Sequence, residues 1–141
     1  MRMRTPTRRS RSGFTLIELL VVLLILAILM GISLPLYLRA VADSQLKTCR
    51  SNMHTIANAV QSARVKAQLT DYTTLAGAPS TTREPDLAYV PLCPNGGTYS
   101  VVVSGSTNDV SPRTIPSGSF AVECNFEGSS HGAFIPGMDS K

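Results

Sequence analysis

Three places in this chain hold residues whose types and spacing could do chemistry. The first is the junction Gly13-Phe14, followed by one carboxylate, Glu18, set inside a long apolar run. A carboxylate within a membrane span costs about 2.5–3.5 kcal/mol on insertion scales, so it calls for a cationic partner. A cut between Gly13 and Phe14 would create one, the new α-amino group of Phe14. An ammonium and a carboxylate at the same depth of an apolar medium attract strongly, because the low dielectric leaves them unscreened. Within one helix the geometry is poor, whereas between parallel copies offset along their axes it is natural. The second place is the cysteine set Cys49, Cys93 and Cys124, and the third is the histidine pair His54 and His131. Neither histidine has a nucleophile and an orienting acid around it, and His54 falls near the polar side of a helix. A zinc site from Cys93, Cys124 and His131 lacks a tight C-x-x-C ligand pair, so no metal is expected. Gly96-Gly97 reads as a turn and does not open a helix as a phosphate-binding loop does. No active site and no cofactor follow; the chain reads as the substrate of an enzyme.

The element that positions Glu18 is the run from Phe14 to Leu34, 21 residues in which Glu18 is the only charged one. As an α-helix it covers about 30 Å, the hydrocarbon thickness of a bilayer. Leu, Ile and Val occupy every face, and a chain of 141 residues is too short to wrap such a helix on all sides. Before it stand Arg2, Arg4, Arg8, Arg9 and Arg11 with no acid, which fixes the leader on the cytoplasmic side. Arg8-Arg9 could open a twin-arginine signal, and a Sec signal would carry an apolar core of about 7–15 residues with a small-residue cleavage site. This run is longer and lacks that site. The leader also accounts for the charge. The whole chain has 13 Lys+Arg and 9 Asp+Glu, net +4. Without the five leader arginines, eight basic and nine acidic residues remain, net −1. The basic isoelectric point therefore belongs to the precursor and does not indicate a nucleic-acid surface.

Residues 13–18, Gly-Phe-Thr-Leu-Ile-Glu, with the apolar residues after them, resemble the type IV prepilin signature shared by type IV pilins, minor pilins, type II secretion pseudopilins and competence pilins. The resemblance covers residues 8–38. It implies cleavage after Gly13 by a prepilin peptidase, N-methylation of Phe14, and Glu18 as the residue that sets subunit register against the Phe14 amine of a neighbour. It implies an α+β fold, a long N-terminal helix packed on a small antiparallel sheet. The implied partners are other pilins in a homo- or hetero-oligomer, the peptidase, and an inner-membrane assembly platform. The implied location is the bacterial inner membrane, then a periplasm-spanning or cell-surface filament. Many members also carry a proline at the place of Pro35. Pro35 has no N–H for the carbonyl of Gly31, so Gly31 and Pro35 are expected to break or weaken the helix there.

Beyond Pro35, Ala42, Leu46, Cys49, Met53, Ile56, Val60, Ala63 and Ala67 form a stripe at helical spacing, so the helix should continue to about Gln68 with one apolar face. Residues 70–141 hold 18 Ser+Thr, 8 Gly and 7 Pro, which excludes long helices. Strands are expected at 98–103 and 119–126, with Phe120, Val122, Cys124 and Phe126 on one face. A short strand at Leu87–Val90, a helical turn near Asp71–Leu75, a turn at Ser104–Asp109 and an edge segment at 131–136 complete the expectation. The organisation is thus a leader (1–13), a membrane or filament-core half-helix (14–35), an amphipathic half-helix (36–69) and a small β-rich domain (70–141). A core this thin usually needs a staple. The exported part lies in an oxidising space, and a Cys93–Cys124 bridge would contribute roughly 3–4 kcal/mol in the chain-entropy model. Three single pairings are possible; Cys93–Cys124 is favoured because Cys49 already has a place on the stripe. The pattern Cys93-Pro94-x-Gly96-Gly97-x-Tyr99, with Cys124 and His131-Gly132 later, is similar to one found in bacterial pilin-like proteins.

Three functions fit. One is a structural pilin or minor pilin. A second is a secretion pseudopilin, against which stand the absence of Trp and of clustered acids in residues 95–141. The third is a competence pilin contributing to DNA uptake. It would need a basic patch, for which Arg83 and Arg113 are the arginines beyond the helix, and its DNA contact would be weak and salt-sensitive.

Overall fold

The structure, a computed structural model, describes residues 13–108, 111–126 and 131–139. The leader up to Ser12 and the last residue of the expected 104–109 turn lie outside the described residues. The chain divides into two compact units, Met1–Ala40 and Val41–Lys141, and one helix, α1 (Leu16–Lys66), runs through both.

In the first unit α1 is apolar on every side and buries none of it. The large apolar side chains from Phe14 to Leu38 are 45–82% exposed. Helix α1 is long and apolar enough to cross a membrane. The break expected at Gly31 and Pro35 is absent from the secondary structure, because α1 continues through both. Pro35 removes one donor from the ladder, while Leu34, Leu36 and Leu38 are strong helix formers that carry it on.

In the second unit α1 turns amphipathic and buries one stripe. Cys49, Met53, Ile56, Ala57, Ala59, Val60 and Ala63 are buried. The outer members of the expected stripe, Ala42 and Ala67, are exposed, and Leu46 is half-buried. Helix α1 stops two residues short of the expected end. Gln68 takes a positive φ of 50°. The Leu69 amide then donates to the Arg64 carbonyl (3.0 Å) and the Gln68 amide to the Val65 carbonyl (3.2 Å). This paired closure satisfies the last carbonyls and ends the helix. Arg64 reinforces it by donating to the carbonyls of Leu69 and Thr70, with its guanidinium 4.7 Å from the Tyr72 ring centre.

A 3-10 turn follows at Thr73–Leu75, where the Asp71 carboxylate accepts from the Thr73 amide at 2.9 Å. The strand expected at Leu87–Val90 does not form; that segment is irregular. Pro85 and Pro91 bracket it and remove donors from any ladder, and the Leu87 amide is used in a turn to the Glu84 carbonyl at 2.8 Å. Leu87 is nonetheless buried. Asp86 holds this loop to the end of α1 by accepting from Lys66 and Ser62.

Three strands make the sheet: β1 (Tyr99–Val102), β2 (Ala121–Cys124) and β3 (Ala133–Phe134), in the order β1-β2-β3 with both pairings antiparallel. Tyr99 faces Cys124 across the first pair, and Val122 faces Phe134 across the second. Gly77 bridges the outer edge of β1 through two bonds with Val101, each 2.8 Å. One face of the sheet, with Tyr99, Val101, Val122, Cys124 and Phe134, packs on the buried stripe of α1, and Phe120 joins it. Phe126 packs against the same cluster, as the alternation predicts. The opposite face of β2 is covered as well, by Ile115, Ile135 and Val102 around Ala121. Every residue of β2 is therefore buried.

Candidate functional site

At the start of α1 the six residues of the N-terminal motif lie on one exposed stretch. Gly13, Phe14 and Thr15 precede the helix, and Glu18 sits in its first turn. The Thr15 hydroxyl accepts from the Glu18 amide at 3.3 Å and stands 3.5 Å from the Glu18 carboxylate. This is the threonine half of a capping box: the Thr15 hydroxyl satisfies a free amide of the first turn, and the Glu18 carboxylate meets that hydroxyl. The T-x-x-E spacing was in plain view; the expectation for Glu18 considered only its charge. A carboxylate at a helix N-terminus is also favoured by the macrodipole. Glu18 thus has local stabilisation in a single chain, and its side chain stays exposed and within reach of another molecule.

A second cluster lies in the second unit. Cys49 comes from α1, Cys93 from the loop before β1, Cys124 from the end of β2, and His131 from the segment before β3. All four are buried, and one ligand atom from each lies within 4.8 Å of every other. Each has a local reason for its place. Cys49 is on the stripe that faces the sheet. Asn52, one turn further along α1, donates to the Leu92 carbonyl (3.0 Å) and to the Tyr99 hydroxyl (3.2 Å), which pins the Cys93 loop against the helix. That loop turns at Gly96, whose amide donates to the Cys93 carbonyl and whose φ is +86°. At Gly97 a Cβ would stand 2.8 Å from the Cys124 sulfur, so only glycine lets the backbone pass. His131 Nδ1 lies 3.3 Å from the Cys93 sulfur and 3.8 Å from that of Cys124. The His131 ring rests on Phe126, with centroids 4.7 Å apart.

The electrostatics differ among the thiols. Burial pushes the Cys124 thiol up to about 12, against the opposing amide of Phe126. Burial also raises Cys49, partly offset by the hydrogen bond from Tyr99. Burial raises Cys93 too, but the backbone amides of Asn95 and Gly97 and the neighbouring thiols outweigh it and bring Cys93 below its ordinary value. Tyr99 is held strongly protonated by burial and by its bond to Cys49.

Cys93 and Cys124 meet as the sequence suggests, yet both are free thiols, and so is Cys49. Cys49 and His131 share the buried space in which the expected Cys93–Cys124 pair lies. Cys49 was missed as their companion; the available signal was that its stripe and the inward face of β2 must meet. His54 is exposed, with its ring 3.9 Å from that of Phe134. Arg83 is spent on the carbonyls of Ala76 and Ala78, and Arg113 on Asp139 and the Ala133 carbonyl.

Residues 8–34 match the family model described as the prokaryotic N-terminal methylation motif. Comparison with curated proteins and with solved structures gives no match. The matched residues contain the Gly13-Phe14 junction, the Thr15 cap and the unburied apolar part of α1. The chain therefore carries a prokaryotic N-terminal methylation motif, the class III prepilin signal found in type IV pilins and pseudopilins.

Proposed function

We propose that this chain is a structural subunit, a pilin or minor pilin, of a type IV pilus-like filament. In this reading a prepilin peptidase removes residues 1–13, Phe14 is N-methylated, and residues 14–35 hold the subunit in the inner membrane before assembly. The amphipathic segment 36–69 then carries the β-rich part, 70–141, on the outside of the filament. One observation carries the reading. A methylation motif is joined to a helix whose large apolar side chains are exposed on all sides. Such a surface is stable only in lipid or against other apolar helices. On extraction from lipid, the Phe14 ammonium of one subunit offers the Glu18 carboxylate of the next a partner that lipid cannot supply, and this would set axial register. The Gly31–Pro35 turn, one hydrogen bond short, is the place where the helix would yield during that transfer. Assembly is with copies of this chain or with other pilins on an inner-membrane platform. The engagement of Arg83 and Arg113 within the chain leaves little support for DNA as a partner.

Mass spectrometry of the mature N-terminus tests the processing; the expected first residue is methyl-Phe14, and a mature protein that keeps its arginines refutes the reading. Deletion of the gene tests the role. Loss of surface filaments with secretion and transformation intact supports a pilin. Loss of secretion alone assigns a pseudopilin, and loss of transformation alone a competence pilin.

A further inference from the structure

We propose that Cys49, Cys93, Cys124 and His131 form a zinc site that staples helix α1 to the sheet. The ligand set is the first ground. Three sulfurs and one imidazole nitrogen, all buried, converge from four separate segments with every pair within 4.8 Å. A tetrahedral ion with bonds of about 2.0–2.3 Å needs ligand atoms roughly 3.3–3.8 Å apart. The His131 Nδ1 distances to Cys93 (3.3 Å) and Cys124 (3.8 Å) already lie in that range. Closing the remaining pairs takes shifts of about an ångström or less.

The groups around the ligands are the second ground. His131 turns Nδ1 toward the sulfurs and Nε2 toward the Asn95 side-chain amide, 3.4 Å away. The Asn95 Oδ1 is buried and has no hydrogen-bond partner. Turning that amide over places Oδ1 as the acceptor for Nε2–H, which satisfies the orphaned oxygen. It also fixes the tautomer in which Nδ1 carries a bare lone pair, as metal-bound imidazoles require. Each sulfur also has a hydrogen-bond donor beside it. The backbone amides of Asn95 and Gly97 point at Cys93, that of Phe126 at Cys124, and the Tyr99 hydroxyl donates to Cys49 at 3.5 Å. The Gly97 backbone lies so close to the Cys124 sulfur that no side chain fits between them.

A disulfide explains less. It would use two sulfurs and leave a third thiol and an imidazole in the same buried space. A d10 ion with no redox chemistry and a preference for sulfur and nitrogen uses all four. On binding, each cysteine releases its thiol proton to solvent and His131 binds as the neutral imidazole, giving one Zn2+ held by three thiolates and one nitrogen. The ion joins segments that span residues 49–131. It would replace the covalent staple that a thin core calls for.

The test uses the full chain, extracted in detergent without chelator or reductant. One zinc per chain by elemental mass spectrometry is expected, with three thiols shielded from a thiol reagent until a chelator is added. Exchange into Co2+ should give a thiolate-to-metal charge-transfer band and the intense visible bands of a tetrahedral site. Cys49→Ser should abolish the stoichiometric zinc. Asn95→Ala keeps all four ligands and should weaken zinc binding about 10–100-fold, as expected for loss of a group that orients a ligating histidine. A freshly extracted chain with a disulfide between any two of the cysteines overturns the proposal. So does a zinc-free chain with three reactive thiols, or a cobalt form without the charge-transfer band.

Discussion

Replacing Gly97 by alanine should destabilise the second unit more than any other single methyl group added to its loops. The new Cβ would lie 2.8 Å from both the Cys124 sulfur and the Phe126 Cβ, and 3.0 Å from the Phe126 backbone nitrogen. Non-bonded atoms prefer about 3.5–4.0 Å, so the neighbours must retreat by roughly 0.7 Å or more. They are poorly placed to do so. Two of the three contacts are to backbone or to an atom fixed by it. The same two segments are also clamped by the Asn125 amide on the Thr98 carbonyl (3.1 Å) and the Thr98 amide on Asn125 Oδ1 (2.8 Å). Overpacking of this kind costs about 1–3 kcal/mol. At about 2 kcal/mol, and with about 4–8 °C per kcal/mol for a unit near 100 residues, Tm should fall by roughly 8–16 °C. Near-UV circular dichroism of the tyrosines in detergent reads mainly this unit, since the chain has no Trp, Tyr72 and Tyr99 pack into its core, and Tyr37 of the first unit is exposed. Gly96 supplies the control. A Cβ there meets nothing, but φ is +86°, so Gly96→Ala should cost only about 1–2 kcal/mol and Gly96→Asn less. A Gly97→Ala protein that melts within about 3 °C of the parent, or no lower than Gly96→Ala, would refute the steric reasoning.

Three further outcomes are expected. Glu18→Ala should leave membrane insertion intact or improved and abolish incorporation into sheared filaments; parental filament yield would remove the pairing of Glu18 with a neighbour's amine. Ile56, fully buried on α1, should cost about 2–5 kcal/mol on replacement by alanine, whereas Val65→Ala, at a 75% exposed position of the same helix, should stay within about 0.5 kcal/mol, both read as denaturant midpoints. The Asp86 carboxylate is held below its ordinary value of 3.8 by the hydrogen bonds from Lys66 and Ser62. Its contribution is therefore complete above that value and is lost as pH falls through the lower, folded-state value. The acid limb of a Tm–pH curve should flatten in Asp86→Asn, and an unchanged limb would count against the assignment.

Much of the fold was legible because its signals are local. The stripe from Cys49 to Ala63 is a period-3.6 pattern and folds as one helix face. The segments Tyr99–Val102 and Ala121–Cys124 carry the β-branched residues and alternation of strands and form them. Leu87–Val90 has apolar residues too, but its flanking prolines and its turn override them. The end of α1 was misplaced by two residues because a non-glycine residue, Gln68, takes the left-handed conformation that closes the helix. Nor does alternation reveal that β2 is covered on both faces, since Ala121 and Glu123 are buried by Ile115, Ile135 and the loop at Asn108.

The sequence by itself determined the character of the N-terminal part of α1. An all-round apolar helix with one acid after a glycine has its character written in consecutive residues. Only the tertiary structure decided the chemistry of the second unit. Cys49, Cys93 and Cys124 are each separated by dozens of residues, and His131 follows Cys124 by seven, so no short ligand-spacing rule joins the four. Their convergence depends on which face of α1 meets which face of β2 and on how closely the Gly97 backbone can pass a sulfur. Those are properties of packed surfaces, set by volume and contact rather than by order along the chain.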